Sequence, residues 1–117
     1  MVVSRATAER YSWGEGCDGW LLLPRNDLSV IQESMPPGTS ELRHFHPRAR
    51  QFFYVLSGEV IMELEGAQHI ITASHGLEIP PLALHRAANT GEQEVNFLVI
   101  SSPTTRGDRT NCVGLDC

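Results

Sequence analysis

Three histidines and one glutamine form the pattern in this sequence most able to do chemistry. His44 and His46 are separated by one residue, and on a strand such side chains point to the same face of a sheet. Two imidazoles on one face can share a divalent ion, because neutral imidazole is a good ligand for transition metals. Gln51 opens the next apolar run, and His85 follows the turn signal Pro80-Pro81. We therefore predict a metal site whose candidate ligands are His44, His46, Gln51 and His85.

Short apolar runs separated by Gly, Pro and Asn predict the elements that carry these side chains. Glu59–Leu64, for example, places Val60, Met62 and Leu64 on one face and glutamates mainly on the other, as a half-buried strand does. No window shows a convincing 3.6-residue apolar period. The pattern predicts an all-β sandwich or barrel. The predicted strands are residues 20–23, 28–35, 41–46, 51–56, 59–64, 68–72, 76–79, 84–89 and 94–101.

The length of 117 residues and the hydrophobic fraction of 41% suit one packed domain. We predict a single domain over residues 1–117, with an irregular N-terminal arm over about residues 1–20 and a C-terminal tail over about residues 103–117. Within that tail, Arg106-Gly107-Asp108 matches an adhesion tripeptide. Three residues arise by chance too easily for this match to carry weight.

The formal net charge of −5 argues against a nucleic-acid or anionic-membrane partner, since both need basic patches. No stretch is long enough to span a membrane, and the first ten residues lack the apolar core of a signal peptide. We expect a cytoplasmic protein. Several arginines lie near the candidate site in sequence and could meet an anionic small molecule, although surface charge is the commoner role for each of them. They are Arg43, Arg48, Arg50 and Arg86.

Two segments resemble the two motifs of the cupin superfamily. The first motif is a Gly, five residues, His-x-His, three or four residues, Glu, six residues and a Gly. The second is a Gly, five residues, Pro-x-Gly, two residues, His, three residues and an Asn. The matching positions are Gly38, His44, His46, Gln51 and Gly58 in the first, and Pro80, His85 and Asn89 in the second. The sequence departs from the motifs at Gln51, where the family has Glu, at Ser74, where it has the first Gly of the second motif, and at Leu82, where it has the second Gly.

The resemblance to small, single-domain, RmlC-like cupins implies a double-stranded β-helix, a jelly-roll barrel with one divalent ion in its mouth. It implies that His44, His46, His85 and the residue at position 51 hold that ion, and that the chain forms a homodimer. Gln51 either ligates weakly through its amide oxygen or orients a water on a three-histidine site. Without a carboxylate, we expect zinc, iron or nickel to be preferred over manganese. We also expect metal affinity to fall below about pH 6, as the histidines take up protons.

Other residues near the motifs receive structural interpretations. Phe53 and Val55 are in phase with Gln51 and should line the barrel interior. Glu33 and Met35 lie on a strand that could reach the barrel mouth, where either could contact a ligand, but we interpret both as structural residues. We predict no metal ligation by His69 or His75.

The resemblance leaves two classes of function open. The first is a mononuclear metalloenzyme acting on a small, anionic or neutral organic molecule by dioxygenase-, isomerase- or lyase-type chemistry. The second is a non-catalytic cupin that binds or senses a small molecule with the help of its metal. We favour the enzyme, although the sequence offers no unambiguous acid or base beyond the ligands.

Overall fold

Twelve strands make up the computed structural model, which describes residues 2–113. In chain order they are β1 (Glu9–Trp13), β2 (Cys17–Pro24), β3 (Ser29–Met35), β4 (Thr39–Ser40), β5 (His44–Phe45), β6 (Arg50–Ser57), β7 (Glu59–Leu64), β8 (Ala67–Thr72), β9 (Gly76–Ile79), β10 (His85–Asn89), β11 (Val95–Ser102) and β12 (Thr110–Asn111). The described part of the chain contains no helix. The all-β prediction is therefore confirmed.

The strands form two antiparallel sheets that enclose one core. The first has the order β1-β2-β3-β11-β6-β9, and the second has the order β12-β5-β10-β7-β8, with β4 paired to β10. Strands distant in sequence, such as β3 and β11, are direct neighbours. Residues far apart along the chain are in this way brought to the same end of the barrel.

Alternating side chains build the core, as the period of two predicts. On β6, Gln51, Phe53 and Val55 are buried, with exposures of 5%, 4% and 0%, while Phe52 and Leu56 face outward. The interior positions predicted for Phe53 and Val55 are confirmed. The same alternation on β11 buries every second residue from Val95 to Ser101, so the walls of the barrel are held by apolar contact.

A glycine makes the tight turn between β6 and β7 possible. Gly58 has φ of +78°, a conformation that residues with a Cβ rarely adopt. A Cβ at this position would also lie 2.6 Å from the carbonyl oxygen of Glu94. The turn at Ser57-Gly58 is thus fixed by both backbone conformation and packing.

The N-terminal segment differs from its prediction. Instead of an irregular arm over residues 1–20, β1 and β2 form a hairpin in which Glu9 pairs with Leu21 and Trp13 pairs with Cys17. The aromatic side chains of Tyr11 and Trp13 lie on the same face of β1 and line a cavity. β1 has only five residues, and only one of its faces carries large apolar side chains. The alternation was therefore too short to be recognised as a strand in the sequence.

The C-terminal segment is partly ordered by pairing. β12 lies within the predicted tail and pairs with β5, placing Asn111 opposite His44. The predicted strand over residues 41–46 shortens to β5, His44–Phe45. Residues 114–117 of the predicted tail lie outside the described residues.

Candidate metal centre

Three buried histidines meet at the end of the second sheet. His44 on β5 is directly opposite His85 on β10 in the antiparallel register, and His46 follows β5. Their exposures are 2%, 0% and 4% in the order His44, His85, His46. The ring centroids are 4.3 Å apart for His44 and His85, 5.0 Å for His44 and His46, and 5.5 Å for His46 and His85.

Backbone carbonyl groups fix the orientation of all three rings. His44 Nδ1 is 2.7 Å from the Leu42 oxygen, His85 Nδ1 is 2.9 Å from the Ala83 oxygen, and His46 Nδ1 is 3.0 Å from the Asp108 oxygen. A carbonyl oxygen can only accept a hydrogen bond, so each Nδ1 carries the proton. Each neutral ring therefore offers the lone pair of Nε2, which is the arrangement of a metal-ligating histidine.

The donor atoms fit a single transition metal. Candidate ligand atoms of His44, His46 and His85 all lie within 4.8 Å of one another. Within residues 2–113, His85 Nε2 is one of the few buried polar atoms without a hydrogen-bond partner. A buried, unpaired acceptor costs free energy unless something binds it. Three neutral imidazole donors, including the buried Nε2 of His85, suit Zn, Fe, Ni or similar ions.

Gln51 offers an oxygen beside these rings. Its Nε2 donates to Ser101 Oγ at 3.2 Å, and its buried Oε1 has no hydrogen-bond partner in the part of the chain that the structure describes. Gln51 lines the same cavity as His44 and His46. The structure therefore places the Oε1 acceptor of Gln51 at the site. This oxygen can either ligate a metal ion directly or orient a water on a three-histidine site.

Changing Gln51 to glutamate is expected to strengthen metal binding and to shift preference toward Mn and Fe(II). A carboxylate adds a negative charge and a harder oxygen at this position, and about a tenfold gain in affinity corresponds to ~1.4 kcal/mol. Competition titration with a chromogenic chelator measures the change. Ser101→Ala, which alters the same hydrogen bond without adding charge, is the matched control. Unchanged affinity for every divalent ion would mean that Gln51 does not contact the metal.

Burial keeps the histidines neutral well below neutral pH. Desolvation, followed by the repulsion of His85, lowers the pKa of His44 to about 3. Desolvation likewise lowers the pKa of His85 to about 4, with the hydrogen bond to Ala83 acting in the opposite direction. The pKa of His46 is also lowered, first by burial. All three imidazoles are therefore neutral at pH 7.

These shifts revise the expected pH dependence of metal binding. A histidine ligand competes with protons only near or below its own pKa, so the affinity for Zn²⁺ is expected to hold from pH 8 down to about pH 5 and to fall steeply below it. The expectation of a fall below about pH 6 assumed an ordinary histidine pKa near 6.5. Isothermal titration with Zn²⁺ between pH 4 and 8 measures this. A tenfold loss per pH unit already at pH 6 would contradict the lowered pKa values.

A cavity of about 450 Å³ opens beside the histidines. Its wall includes the apolar side chains of Ile31, Phe53 and Val99. Besides His44, His46 and Gln51, its polar wall includes Glu33, which the sequence placed near the barrel mouth, and three residues that the sequence did not single out: Tyr11, Glu41 and Arg109. Arg109 lies in the predicted tail, and its Nη1 is 3.7 Å from Glu41 Oε2. Only the pairing of β12 with β5 brings it here, and no local pattern signals that.

The four arginines considered from the sequence lie elsewhere. None of them lines this cavity, and each forms an ion pair with a carboxylate. The pairs are Arg43 and Arg86 with Glu63, Arg48 with Asp108, and Arg50 with Glu78. Their charges are therefore already partnered at the surface of the barrel.

The remaining motif residues have structural positions. Asn89 Nδ2 donates to the carbonyl oxygens of Met35 and Gln93, both at 2.8 Å, so it fixes the turn before β11. His69 and His75 are exposed and lie outside the histidine cluster found within residues 2–113.

Comparisons with known proteins agree with this architecture. A model of the Cupin domain family matches residues 31–101. Polyketide synthase CurC from Streptomyces cyaneus is 35% identical over 69 residues, which cover 59% of this chain and 45% of that protein. The chain thus spans about half the length of the curated relatives that it matches.

Two solved structures illustrate the shared fold. The polyketide cyclase RemF from Streptomyces resistomycificus superposes with a TM-score of 0.84 over 99% of this chain and 87% of its own, at 18% identity. An RmlC-like cupin from Shewanella frigidimarina gives 0.81 over 90% and 92%, at 22% identity. These likenesses establish the jelly-roll double-stranded β-helix. Since the Cupin domain model also covers more than half of its length, the chain belongs to the cupin superfamily.

Proposed function

We propose that this protein is a metal-dependent enzyme that acts on a small organic molecule. It removes or adds a proton at the carbon next to a carbonyl group. Isomerases, lyases and cyclases share this step. The observation that carries the proposal is the set of three neutral imidazoles, each fixed through Nδ1 to a backbone carbonyl, next to a cavity of about 450 Å³. That volume suits a small organic substrate.

The residues that would hold the metal are His44, His46, His85 and Gln51. A bound divalent ion supplies Lewis acidity, because it polarises a carbonyl oxygen and stabilises the negative charge that develops there. None of these four side chains is negatively charged, so the ion's charge stays undiminished and favours an anionic substrate or product. Zinc, iron and nickel suit this donor set better than manganese.

The cavity wall supports binding of a mixed polar and apolar molecule. Ile31, Phe53 and Val99 offer apolar contact to a carbon skeleton. Arg109 supplies a guanidinium group at the same cavity. Its Nη1 lies 3.7 Å from Glu41 Oε2 and its Nε donates to Asn111 Oδ1, so its Nη2 is the group that would bind a substrate carboxylate. A keto acid has both a carbon skeleton and a carboxylate. It is therefore the simplest substrate class that would contact both the apolar and the polar side of the cavity.

The relatives support a cyclase-like reaction. CurC is named a polyketide synthase and RemF a polyketide cyclase. Ring closure can join the carbon next to one carbonyl group to the carbon of a second carbonyl group. The first carbon must then lose a proton, which is the step proposed here. Poly-carbonyl chains are therefore included in the proposed substrate class.

Proton exchange in deuterated water tests this function. Protein loaded with Zn, Ni, Mn or Fe(II) is incubated with 4-oxopentanoate, and ¹H NMR follows loss of the protons next to the ketone. Exchange faster than with metal-free protein or with His44→Ala is the expected result. The methyl ester of the same compound is the matched substrate, and slower exchange of the ester would support binding of the carboxylate.

Other outcomes point to the alternatives. Oxygen consumption by the iron-loaded protein, without exchange, would favour dioxygenase chemistry. Reversible binding of the keto acid with neither exchange nor oxygen consumption would favour the non-catalytic, metal-assisted binding or sensor role. Either result would contradict the proton-transfer function.

A further inference from the structure

Tyr11, Gly19 and Glu33 lie in a row across three neighbouring strands. Tyr11 on β1 pairs with Gly19 on β2, and Gly19 pairs with Glu33 on β3. The Tyr11 hydroxyl crosses β2 and donates a hydrogen bond of 2.7 Å to Glu33 Oε2. A side chain on one strand thus reaches a carboxylate two strands away, at the wall of the cavity beside the histidines.

The absence of a side chain at position 19 makes this crossing possible. A Cβ built on Gly19 would overlap the phenol ring of Tyr11. Any other residue would push the ring aside and break its bond to Glu33. The row of Tyr11, Gly19 and Glu33 is therefore a specific arrangement that aims one carboxylate.

The two cavity carboxylates, Glu33 and Glu41, are held differently. Glu41 Oε1 accepts a hydrogen bond of 3.0 Å from the Ala87 amide, and Oε2 lies 3.7 Å from Arg109 Nη1. Both oxygens of Glu41 are thus occupied. Among the described residues, Tyr11 donates the one side-chain hydrogen bond to Glu33, on Oε2, which leaves Oε1 available to a molecule in the cavity.

We propose that Glu33, positioned by Tyr11 across Gly19, is the acid–base residue that exchanges a proton with a substrate bound beside the three histidines. This inference rests on the proposed function and names the group that performs its proton transfer. In the forward step Glu33 Oε1 takes a proton from the carbon next to the carbonyl, and the electron pair of that C–H bond moves into the carbonyl to give an enolate. Glu33 then returns the proton to carbon, or to oxygen, in the product.

The electrostatic surroundings suit that role near neutral pH. Burial raises the pKa of Glu33 to about 7, against the opposing effects of the Tyr11 hydrogen bond and the Arg109 charge. Burial, then repulsion by Glu33, raises the pKa of Glu41 to about 7. A base with a pKa close to the working pH is the most effective proton-transfer group.

The charged and titratable groups around Glu33 come from several neighbouring elements. The pKa of Tyr11 is itself raised, first by burial and then by Glu33, so Tyr11 stays protonated and remains a donor. On β11 the residue paired with Glu33 is the uncharged Phe97. The titratable or charged neighbours are Tyr11 on β1, Cys17 on β2, Glu41 before β5 and Arg109 before β12.

Glu33→Gln removes the proton-carrying group while keeping an acceptor for Tyr11. Exchange of the 4-oxopentanoate protons is expected to fall by about 100-fold or more, the usual contribution of a general base. Metal content by elemental analysis and the thermal unfolding midpoint should stay near those of the native protein. Glu78→Gln, at a surface ion pair on β9, is the matched control and should exchange at the native rate.

Tyr11→Phe tests the positioning role through a pH profile. The hydrogen bond from Tyr11 lowers the pKa of Glu33, so its loss should raise that pKa further. In metal-free protein with ¹³C-labelled glutamate, NMR should show the Glu33 carboxyl titrating near pH 7 and at higher pH in Tyr11→Phe. The pH profile of exchange should move in the same direction, and Gly19→Ala should reproduce both effects.

The outcomes separate this inference from the function beneath it. Exchange retained by Glu33→Gln overturns the role of Glu33 and leaves the proposed function standing. A Glu33 carboxyl that titrates near its ordinary pKa of about 4.3, with no response to Tyr11→Phe, also overturns that role. No exchange by the native protein with any metal overturns the proposed function, and the catalytic role of Glu33 falls with it.

Discussion

His85→Ala is expected to abolish stoichiometric metal binding. His85 is fully buried, and its Nε2 has no hydrogen-bond partner among residues 2–113, so a metal ion is the group that would satisfy it. Structural zinc sites with four ligands gain about 10–16 kcal/mol on binding, and one ligand's share of about 3 kcal/mol corresponds to a loss of more than about 100-fold in affinity. Elemental analysis of protein purified without chelator or nickel resin measures the change directly.

His75→Ala is a matched control for this variant. His75 Nδ1 lies 3.0 Å from the carbonyl oxygen of Ala73, two residues earlier, just as His85 contacts Ala83. His75 is exposed and outside the cluster, so its loss should leave metal content unchanged. Equal metal content in the native protein and His85→Ala would contradict ligation by His85.

The sequence predicted the strands well because local patterns determine them. Glu59–Leu64 and Gly76–Ile79 are strands with the predicted bounds, since alternating side chains and glycine turns act over a few residues. The shared location of His44 and His46 followed from the same period of two. The family spacing added His85, which a local pattern alone could not pair with them.

The cavity wall could not be predicted in this way, because it is assembled by contacts between distant residues. In sequence, Glu33 is an ordinary polar residue of β3, and the hydrogen bond that orients its carboxylate comes from Tyr11, twenty-two residues earlier. Arg109 reaches the cavity because β12 pairs with β5. The interpretation of Glu33 as merely structural was therefore incomplete, since it lines the cavity beside His44.

The C-terminal segment supplies a further contact of this kind. Asp108 lies 62 positions after His46, and its backbone oxygen accepts the hydrogen bond from His46 Nδ1. Its carboxylate accepts hydrogen bonds from the amides of Arg48 at 3.0 Å and Ala49 at 2.8 Å. Asp108 is only 5% exposed, and its carboxylate holds the loop of Arg48 and Ala49 through these hydrogen bonds. This buried position agrees with dismissing the tripeptide Arg106-Gly107-Asp108 as an adhesion motif.

Asp108→Ala is expected to reduce stability and metal affinity together. It removes the acceptor of two amide groups, and an unsatisfied buried amide costs about 1–3 kcal/mol, so the free energy of unfolding should fall by about 2–4 kcal/mol. Displacement of the loop also loosens His46, and loss of such a supporting contact costs about 10–100-fold in metal affinity. Urea unfolding and zinc titration measure the two effects. Asp108→Asn keeps one acceptor oxygen and should lose less, whereas the exposed Asp27→Ala should lose neither.

The pH dependence of the Asp108 effect distinguishes this mechanism from a general loss of packing. Burial acts to raise the pKa of Asp108, but the hydrogen bonds from Ala49 and Arg48 outweigh it, and the pKa is lowered overall. A carboxyl with a lowered pKa stabilises the fold above its unfolded value, about 3.9, and loses that contribution as pH falls through the folded value. The stability difference between the native protein and Asp108→Ala should therefore be full at pH 7 and shrink below about pH 4. A difference that stays constant from pH 7 to pH 3 would show that the charge of Asp108 does not stabilise the loop that holds His46.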